Sequence, residues 1–327
     1  MSAGGKPRIL LMHPILEPGP TILAEAAEVI TYRPDRPLDE ESIKQAAEGC
    51  VGIVSLLMDP IRETVLSIPG LKIVSNVAVG FDNIDVPAAT AHKVMVTNTP
   101  GVLDDATADF AFTLLMATAR RIVEADNFNR QGHFKGWAID MMLGADVFGA
   151  TLGLIGVGRI GRGVAHRAKG FNMRVLYYDP HPLPPDAEQQ LGATRVDLGR
   201  LLAESDFVSV HVPLTDETHH LLSTAQFGQM KPSAILINTS RGPVIDEAAL
   251  VEALKAKKVA GAGLDVYERE PSVHPGLIPM SNVILAPHIA SATTRTRSEM
   301  SAMAARNMAT AIRGGRPPNL LNPEVKK

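Results

Sequence analysis

The sequence predicts an α/β protein of two domains, each built on a doubly wound parallel sheet. Short β-branched runs alternate with alanine-rich amphipathic stretches along the chain, which is typical of parallel strands covered by helices on both faces. The runs fall into two sets, separated by a long helical stretch. A chain of 327 residues also exceeds what a single core of ordinary size needs, which favours two domains.

The predicted strands are short and apolar, and they cover residues 8–12, 28–32, 52–57, 71–76 and 94–98 in the first set and 151–156, 174–179, 207–212, 234–240, 261–266 and 283–288 in the second. Between the sets, "TADFAFTLLMATARRIVEADNFNRQG" has apolar residues at helical spacing and predicts a linker helix. The stretch "ATTRTRSEMSAMAARNMATAIRGG" predicts one closing helix that ends at Gly314 and Gly315.

Composition excludes several classes of protein. Hydrophobic residues make up 45% and charged residues 20% of the chain, which is typical of a soluble globular protein. A net charge of −3 without a basic stripe gives no reason to expect a nucleic-acid partner. Cys50 is the only cysteine, which excludes an intrachain disulfide and fits a reducing compartment. Without a long apolar run or a signal-like start, we expect no membrane span and a cytoplasmic protein.

The clearest motif is "GLIGVGRIGRGVAHRAKG", in which Gly156, Gly158 and Gly161 stand between an apolar strand and a helical stretch. Such glycines permit a tight turn, close approach of the backbone to a pyrophosphate and close helix–strand packing. Asp179 ends the next strand about 20 positions later, where a carboxylate accepts hydrogen bonds from ribose hydroxyls and repels a 2′-phosphate. The motif predicts a dinucleotide site that prefers NAD to NADP. Arg159 either contacts the pyrophosphate or is a solvated residue at the helix start.

Three polar residues stand where predicted strands end: Arg241 after "AILINTS", Glu270 at the end of "GAGLDVYERE" and His288 at the end of "NVILAPH". Ligands of open α/β sheets bind on that side. An arginine fork suits a carboxylate, and an imidazole oriented by a carboxylate is a proton donor near neutral pH. Each residue alone is more typical of a surface, an ion pair or a core. Together, beside a dinucleotide motif, they favour a reaction site.

Over nearly its whole length the sequence resembles the D-isomer-specific 2-hydroxyacid dehydrogenases. The resemblance rests on four segments in the family's order: "GLIGVGRIGRGVA", "MKPSAILINTSRGPVIDEAALVEALK", "GAGLDVYEREP" and "VILAPHIASAT". Within the family, "NVAVGFDNIDVPAATAHKVMVTNTPGVLDDATADFAFTLLMATAR" and "AKGFNMRVLYYD" are most similar to the glyoxylate/hydroxypyruvate reductase branch.

The resemblance implies a Rossmann NAD-binding domain, residues 102–289, inserted into a flavodoxin-like substrate domain formed by residues 1–101 and 290–327. It also implies a homodimer, with a dimerisation helix and arm at about 102–148. In the branch, a tryptophan of the arm enters the partner subunit's substrate pocket. Trp137 either does the same or only packs in the dimer contact, since the branch often has proline where this chain has Ala138.

The resemblance also implies roles for single residues. His288 would give the proton to the substrate oxygen, Glu270 would hold its imidazole, and Arg241 would bind the carboxylate and the carbonyl oxygen. The rest of the substrate site would comprise Leu56 as an apolar wall and the N–H groups of Ala78, Val79 and Gly80. The cofactor would contact the three motif glycines and Thr107, Arg159, Ile160, Asp179, His211, Val212, Pro213, Thr218, Thr239, Ser240, Arg241, Asp265, His288 and Ala290.

The implied activity is the NADH-dependent reduction of small 2-oxo acids to D-2-hydroxy acids, foremost glyoxylate to glycolate and hydroxypyruvate to D-glycerate. Other dehydrogenases of the family stay open, namely 2-ketogluconate reductase, D-lactate dehydrogenase and phosphoglycerate dehydrogenase. A protein that acts as an NAD-sensing co-repressor stays open too, because such proteins keep the same three polar residues. His211, His219 and His220 resemble a metal cluster, but the chemistry needs no metal and we expect none.

Overall fold

A computed structural model describes residues 5–33, 35 and 38–325 of the chain. The chain divides into two compact units. The first unit comprises Met1–Leu103 and Ala292–Lys327, and the second comprises Asp104–Ser291. The sequence had placed the domain boundaries after residues 101 and 289.

The first unit contains a parallel sheet of five strands in the order β2-β1-β3-β4-β5, which is the flavodoxin-like order. Its strands are β1 Arg8–Leu11, β2 Glu28–Thr31, β3 Gly52–Ser55, β4 Ile73–Asn76 and β5 Met95–Thr97. Its helices are α1 Gly19–Ala26, α2 Glu40–Ala46, α3 Glu63–Leu66, α4 Val86–Ala91 and α12 Thr294–Ile312. The predicted closing helix is confirmed, and Gly314 follows it with a left-handed φ of 80°.

The second unit contains a parallel sheet of seven strands in the order β12-β11-β10-β9-β6-β7-β8, which extends the Rossmann order by one strand. Its strands are β6 Thr151–Ile155, β7 Arg174–Tyr178, β8 Ala193–Arg195, β9 Phe207–Val210, β10 Ile235–Asn238, β11 Gly261–Leu264 and β12 Val283–Leu285. Its helices are α5 Asp104–Ala119, α6 Ile122–Arg130, α7 Arg159–Ala168, α8 Pro185–Leu191, α9 Leu198–Glu204, α10 Thr224–Phe227 and α11 Glu247–Lys255.

Burial on both faces explains why the strands are so apolar. Every residue of β3 and β4 in the first unit, and of β9, β10 and β11 in the second, is buried. Helices cover both faces of such sheets, which leaves no strand face for polar residues. No helix in the described part of the chain has the length and apolarity needed to cross a bilayer.

Two elements differ from the prediction. The prediction of a single linker helix is wrong. The stretch forms two helices, α5 and α6, and Arg121 between them adopts a left-handed φ of 53°. The Arg121 guanidinium donates to Glu124 and to the carbonyl of Leu143, so contacts outside the helical pattern stabilise the break. Strand β8 was not predicted, because only Ala193 of its three residues is buried.

Gly242 lies where the loops that follow β10 and β11 approach each other closely. A methyl group on Gly242 would lie 1.8 Å from the carbonyl carbon of Tyr267 and 2.4 Å from the N atom of Glu268. Both atoms belong to the backbone, so they cannot rotate away as a side chain can. Glycine is therefore required directly after Arg241.

We expect Gly242→Ala to lower the free energy of unfolding by roughly 3 kcal/mol, because overpacking against backbone forces both loops to move. Gly170→Ala is the matched control, since nothing lies within 4 Å of a methyl group at that position, and it should leave stability unchanged or raise it by a few tenths of a kcal/mol. Urea denaturation of both variants measures the difference. Equal stability of Gly242→Ala and the wild type would contradict the close approach.

Candidate functional site

Arg241, Glu270 and His288 lie in the loops that leave three neighbouring strands, β10, β11 and β12. The strands end two or three residues earlier than predicted, and the residues thus released form these loops. Because the carboxyl ends of parallel strands share one edge of the sheet, the loops are neighbours. The structure joins two of the three residues directly.

The His288 imidazole and the Glu270 carboxylate form a hydrogen-bonded pair. His288 Nδ1 lies 2.9 Å from Glu270 Oε2, and an ionised carboxylate can only accept, so Nδ1 donates. The other oxygen, Oε1, accepts the N–H of Tyr267 at 3.0 Å. The side chains of His288 and Glu270 are 26% and 22% exposed. Within the described residues Nε2 of His288 has no partner, so it is the ring nitrogen left for another molecule.

Asp265 determines where His288 points. The His288 N–H donates to the Asp265 carbonyl at 2.9 Å, and the two Asp265 carboxylate oxygens accept the N–H groups of Ile289 and Ala290, both at 2.8 Å. His288 has a left-handed φ of 52°, which is uncommon for residues other than glycine. Burial raises the pKa of the Asp265 carboxyl, while the two N–H donors act in the opposite direction.

The backbone around Arg241 is held by Asn238, the last residue of β10. The Asn238 side chain donates to the Arg241 carbonyl at 2.9 Å and accepts from the N–H and hydroxyl of Ser240. The Arg241 guanidinium donates to the Ser240 carbonyl at 2.8 Å. The backbone that carries the half-buried Arg241 side chain is therefore fixed by several hydrogen bonds.

The glycine-rich loop joins β6 to α7 as the motif predicts. Gly156 has a φ of 93°, and a methyl group there would lie 2.8 Å from the carbonyl oxygen of His211. A methyl group at Gly161 would lie 2.2 Å from the carbonyl oxygen of Gly156, whereas at Gly158 nothing lies within 4 Å. Two glycines therefore permit close packing, and the third leaves open space beside the amino terminus of α7, where unpaired N–H groups favour an anion.

Asp179 at the end of β7 contacts this loop directly. Its carboxylate accepts the N–H of Val157 and that of His181, both at 2.9 Å. The side chain is 18% exposed, so lone pairs remain for a ligand. The Arg195 guanidinium donates to the carbonyls of Asp179 and Pro180, which puts a cation close to the same turn.

The remaining cofactor candidates differ in their surroundings. Burial lowers the pKa of His211 to about 4, so the ring is neutral at pH 7, and Nε2 lies 2.8 Å from the Ser209 hydroxyl. The Thr218 hydroxyl donates to the Pro213 carbonyl and holds its loop. Thr239 Oγ1 is buried without a hydrogen-bond partner in the described part of the chain. In addition, Thr107, Val212 and Ala290 are buried, Ile160 is half-buried, and Arg159 is exposed.

The predicted substrate residues of the first unit lie in two loops, with Leu56 after β3 and Ala78, Val79 and Gly80 after β4. Strands β3 and β4 are paired, so these loops leave the same edge of the sheet. In the second unit, Trp137 lies in the segment between α6 and β6 and is 76% exposed.

A cavity of about 320 Å³ in the second unit contains none of the predicted site residues. It lies at the start of β10 and β11, beside Ile235 and Gly261, and so at the opposite end of the strands from His288. Val123 and Leu143 also line it.

The three histidines that resemble a metal cluster have different partners. The rings of His219 and His220 stack at 4.1 Å, His220 contacts Glu268, and His211 contacts Ser209. Among residues 5–33, 35 and 38–325, no group of three or more His, Cys, Asp or Glu side chains could hold a metal ion.

Sequence reasoning missed how the site residues are held. Asp265 was expected to contact the cofactor, which stays a prediction, but its bonds to residues 288–290 were not foreseen. The support from Asn238 and from the Tyr267 N–H was missed as well. The only signal was position, because these residues flank the ends of β10 and β11.

Comparison with known proteins adds three findings. Residues 112–290 match the family described as "D-isomer specific 2-hydroxyacid dehydrogenase, NAD binding domain". The glyoxylate reductase of Korarchaeum cryptofilum is 52% identical over 326 residues, which cover 98% of each chain. Two crystal structures superimpose closely. The TT0316 protein of Thermus thermophilus has a TM-score of 0.88 at 40% identity, covering 96% of this chain and 99% of that one. An NADPH-dependent glyoxylate/hydroxypyruvate reductase of Sinorhizobium meliloti, in complex with NADP and malonate, has a TM-score of 0.87 at 33% identity, and the match covers 97% of each chain.

Proposed function

Because the chain belongs to the D-isomer specific 2-hydroxyacid dehydrogenase family, we propose that it reduces small 2-oxo acids, glyoxylate and hydroxypyruvate foremost, to D-2-hydroxy acids. The observation that carries the proposal is the His288–Glu270 pair, 2.9 Å apart, with Nε2 of the imidazole left for a substrate. The substrates agree with the names of the Korarchaeum and Sinorhizobium relatives.

The second unit has the features that a dinucleotide needs. Gly158 leaves open space at the start of α7, and Thr239 Oγ1 is a buried hydroxyl that a ligand would satisfy. The glycine loop and α7 would hold the pyrophosphate, Asp179 the ribose, and Thr239 the nicotinamide end. A bound nicotinamide cofactor supplies the hydride that reduces the carbonyl carbon. We assign dinucleotide binding to the second unit.

The residues of the chain supply the proton and the anchor. His288 gives the proton from Nε2 to the substrate oxygen, while Glu270 accepts from Nδ1 and holds the imidazole in place. Arg241 binds the substrate carboxylate through its guanidinium fork, from a turn already held by Asn238. The N–H groups of residues 78–80 contribute to carboxylate binding, and Leu56 forms an apolar wall.

We expect the wild type to oxidise NADH with glyoxylate and hydroxypyruvate. His288→Ala should lower kcat by about 10² to 10⁴, because it removes the proton donor, and leave the Kd of NADH nearly unchanged. Arg241→Ala should also raise KM for the 2-oxo acid. The control is His166→Ala, in the last turn of α7, which should keep wild-type rates.

Spectrophotometric assays should include pyruvate, phosphohydroxypyruvate and 2-ketogluconate, because other enzymes of the family reduce larger 2-oxo acids. Absence of turnover with every substrate, with NADH and with NADPH, would refute the enzymatic function and favour a binding role. A wild-type rate for His288→Ala would refute only the assignment of the proton donor.

For the cofactor we propose a preference for NADH. The Asp179 carboxylate is partly exposed at the end of β7, where its charge would repel a 2′-phosphate. The Sinorhizobium relative uses NADPH, so the family accommodates either cofactor. Arg195 is the cation beside this turn. The negative charge of Asp179 determines whether the Arg195 guanidinium can bind a 2′-phosphate.

Asp179→Asn removes the charge but keeps an oxygen for the N–H of Val157. We expect the ratio of kcat/KM for NADH to that for NADPH to fall at least about tenfold, because like charges brought together cost several kcal/mol. Steady-state kinetics with both cofactors at fixed glyoxylate measure the ratio. A wild type that already prefers NADPH would overturn the ribose argument.

We also propose that the chain forms a homodimer through the segment from α6 to β6. Helix α6 has no buried residue, and five of the twelve exposed large hydrophobic side chains in the described residues follow it: Phe134 51%, Trp137 76%, Ile139 78%, Leu143 67% and Phe148 69%. Apolar groups in such number favour burial against another protein surface. The nearby cavity lined by Val123 and Leu143 offers space for side chains of a second copy.

Trp137 is the only tryptophan, so its fluorescence reports on this segment alone. We expect a mass in solution twice the 34.9 kDa of one chain and an emission that shifts to longer wavelength when Ile139→Glu separates the subunits. Ile278→Glu is the control, because Ile278 is also exposed, at 65%, but lies outside the segment. A wild type that sediments as a monomer would refute the dimer.

A further inference from the structure

The loop after β4 holds three consecutive carbonyl oxygens in hydrogen bonds. The carbonyl of Ala78 accepts the Thr99 N–H at 2.9 Å. The next two carbonyls, of Val79 and Gly80, accept side-chain amides, from Asn98 at 2.8 Å and from Asn76 at 2.9 Å. The N–H groups of residues 78–80 donate to no acceptor in the described part of the chain. Consecutive free N–H groups in a loop bind anions, so the carbonyl bonds leave this stretch ready for a carboxylate.

Asn83 joins this loop to the loop after β3. Its side-chain amide donates to the carbonyls of Leu56 and Asp59, both at 3.0 Å, and its oxygen accepts from the Asn76 amide at 3.3 Å. Asn76 is fully buried, at 0% exposure, and its own oxygen accepts the Ser55 hydroxyl. A change at either asparagine therefore alters the positions of both loops.

Asp59 and His13 complete the network at its edge. The Asp59 carboxylate has no exposed surface; it accepts the Leu56 N–H at 2.7 Å and contacts His13 Nε2 at 2.8 Å. Burial raises the pKa of the Asp59 carboxyl, and these two partners act against it. A buried carboxylate that loses a partner is costly, so His13, which is 36% exposed, stabilises the loop that contains Leu56.

We propose that Asn76, Asn83 and the Asp59–His13 pair are positioning residues that hold the N–H groups of residues 78–80 ready for the carboxylate of the 2-oxo acid. The inference rests on the proposed function and extends it to residues that touch no substrate. The physical reason is preorganisation. A loop held before binding loses less conformational entropy when the anion binds. Because the carbonyls of residues 78–80 are already hydrogen-bonded, the peptide groups of this loop resist rotation that would bury their N–H groups.

The test compares Asn83→Ala and His13→Ala with the wild type. Loss of a hydrogen bond to a charged or buried group should raise KM for glyoxylate about tenfold. The kcat and the Kd of NADH should stay within about twofold, because hydride and proton transfer use residues of the second unit. His13→Gln, which restores a donor for Asp59, should recover most of the affinity. His92→Gln is the control, because His92 and Glu63 form another histidine–carboxylate pair, 2.6 Å apart, in the same unit.

Wild-type KM values in both alanine variants would overturn the inference. Equal losses of kcat, NADH affinity and thermal stability would overturn it too, because they indicate a purely structural role. The proposed function fails separately, if the wild type reduces no 2-oxo acid. In that case calorimetric titration of the wild type and the same variants with oxamate, a non-reducible carboxylate, still tests anion binding, and equal affinities refute the positioning role.

Discussion

Asp265 accepts three backbone N–H groups, those of His288, Ile289 and Ala290, one on its carbonyl and two on its carboxylate. Without these bonds, a buried carboxylate and a left-handed histidine would each be unfavourable. With them, the two features stabilise each other. The turn held by these bonds places Nδ1 of His288 2.9 Å from Oε2 of Glu270.

The other side of that contact depends on close packing between loops. Glu270 receives the Tyr267 N–H, and the backbone at Tyr267 passes so near to Gly242 that no side chain fits there. Gly242 directly follows Arg241, so one close approach links the positions of the proposed anchor and of the group that holds the imidazole. Neither loop could shift alone without an effect on the other.

The first unit uses the same principle with different groups. In the second unit a carboxylate accepts backbone N–H groups. In the first unit buried asparagine amides donate to the carbonyls of Val79 and Gly80, and the backbone N–H groups of this loop stay without an acceptor. In both units the parallel sheet brings the loops to one edge, and a buried polar side chain then determines which backbone atoms face outward. Such networks require full satisfaction of their hydrogen bonds, which accounts for the many bonds that Asn76, Asn83 and Asp265 make.

Elements with a local signal could be predicted from the chain alone. Alternation of apolar runs predicted eleven of the twelve strands found in the described residues, and the glycine spacing predicted the β6–α7 turn, because both depend on near neighbours in the chain. The positions of Arg241, Glu270 and His288 at strand ends suggested a shared site. The remaining features depend on contacts between distant parts of the chain. At the break between α5 and α6, Arg121 donates to the carbonyl of Leu143. Strand β8 pairs with β7 at the edge of the sheet, and the turn at His288 is held by Asp265, 23 residues earlier. Such contacts join residues far apart in the chain, so no local sequence pattern predicts them.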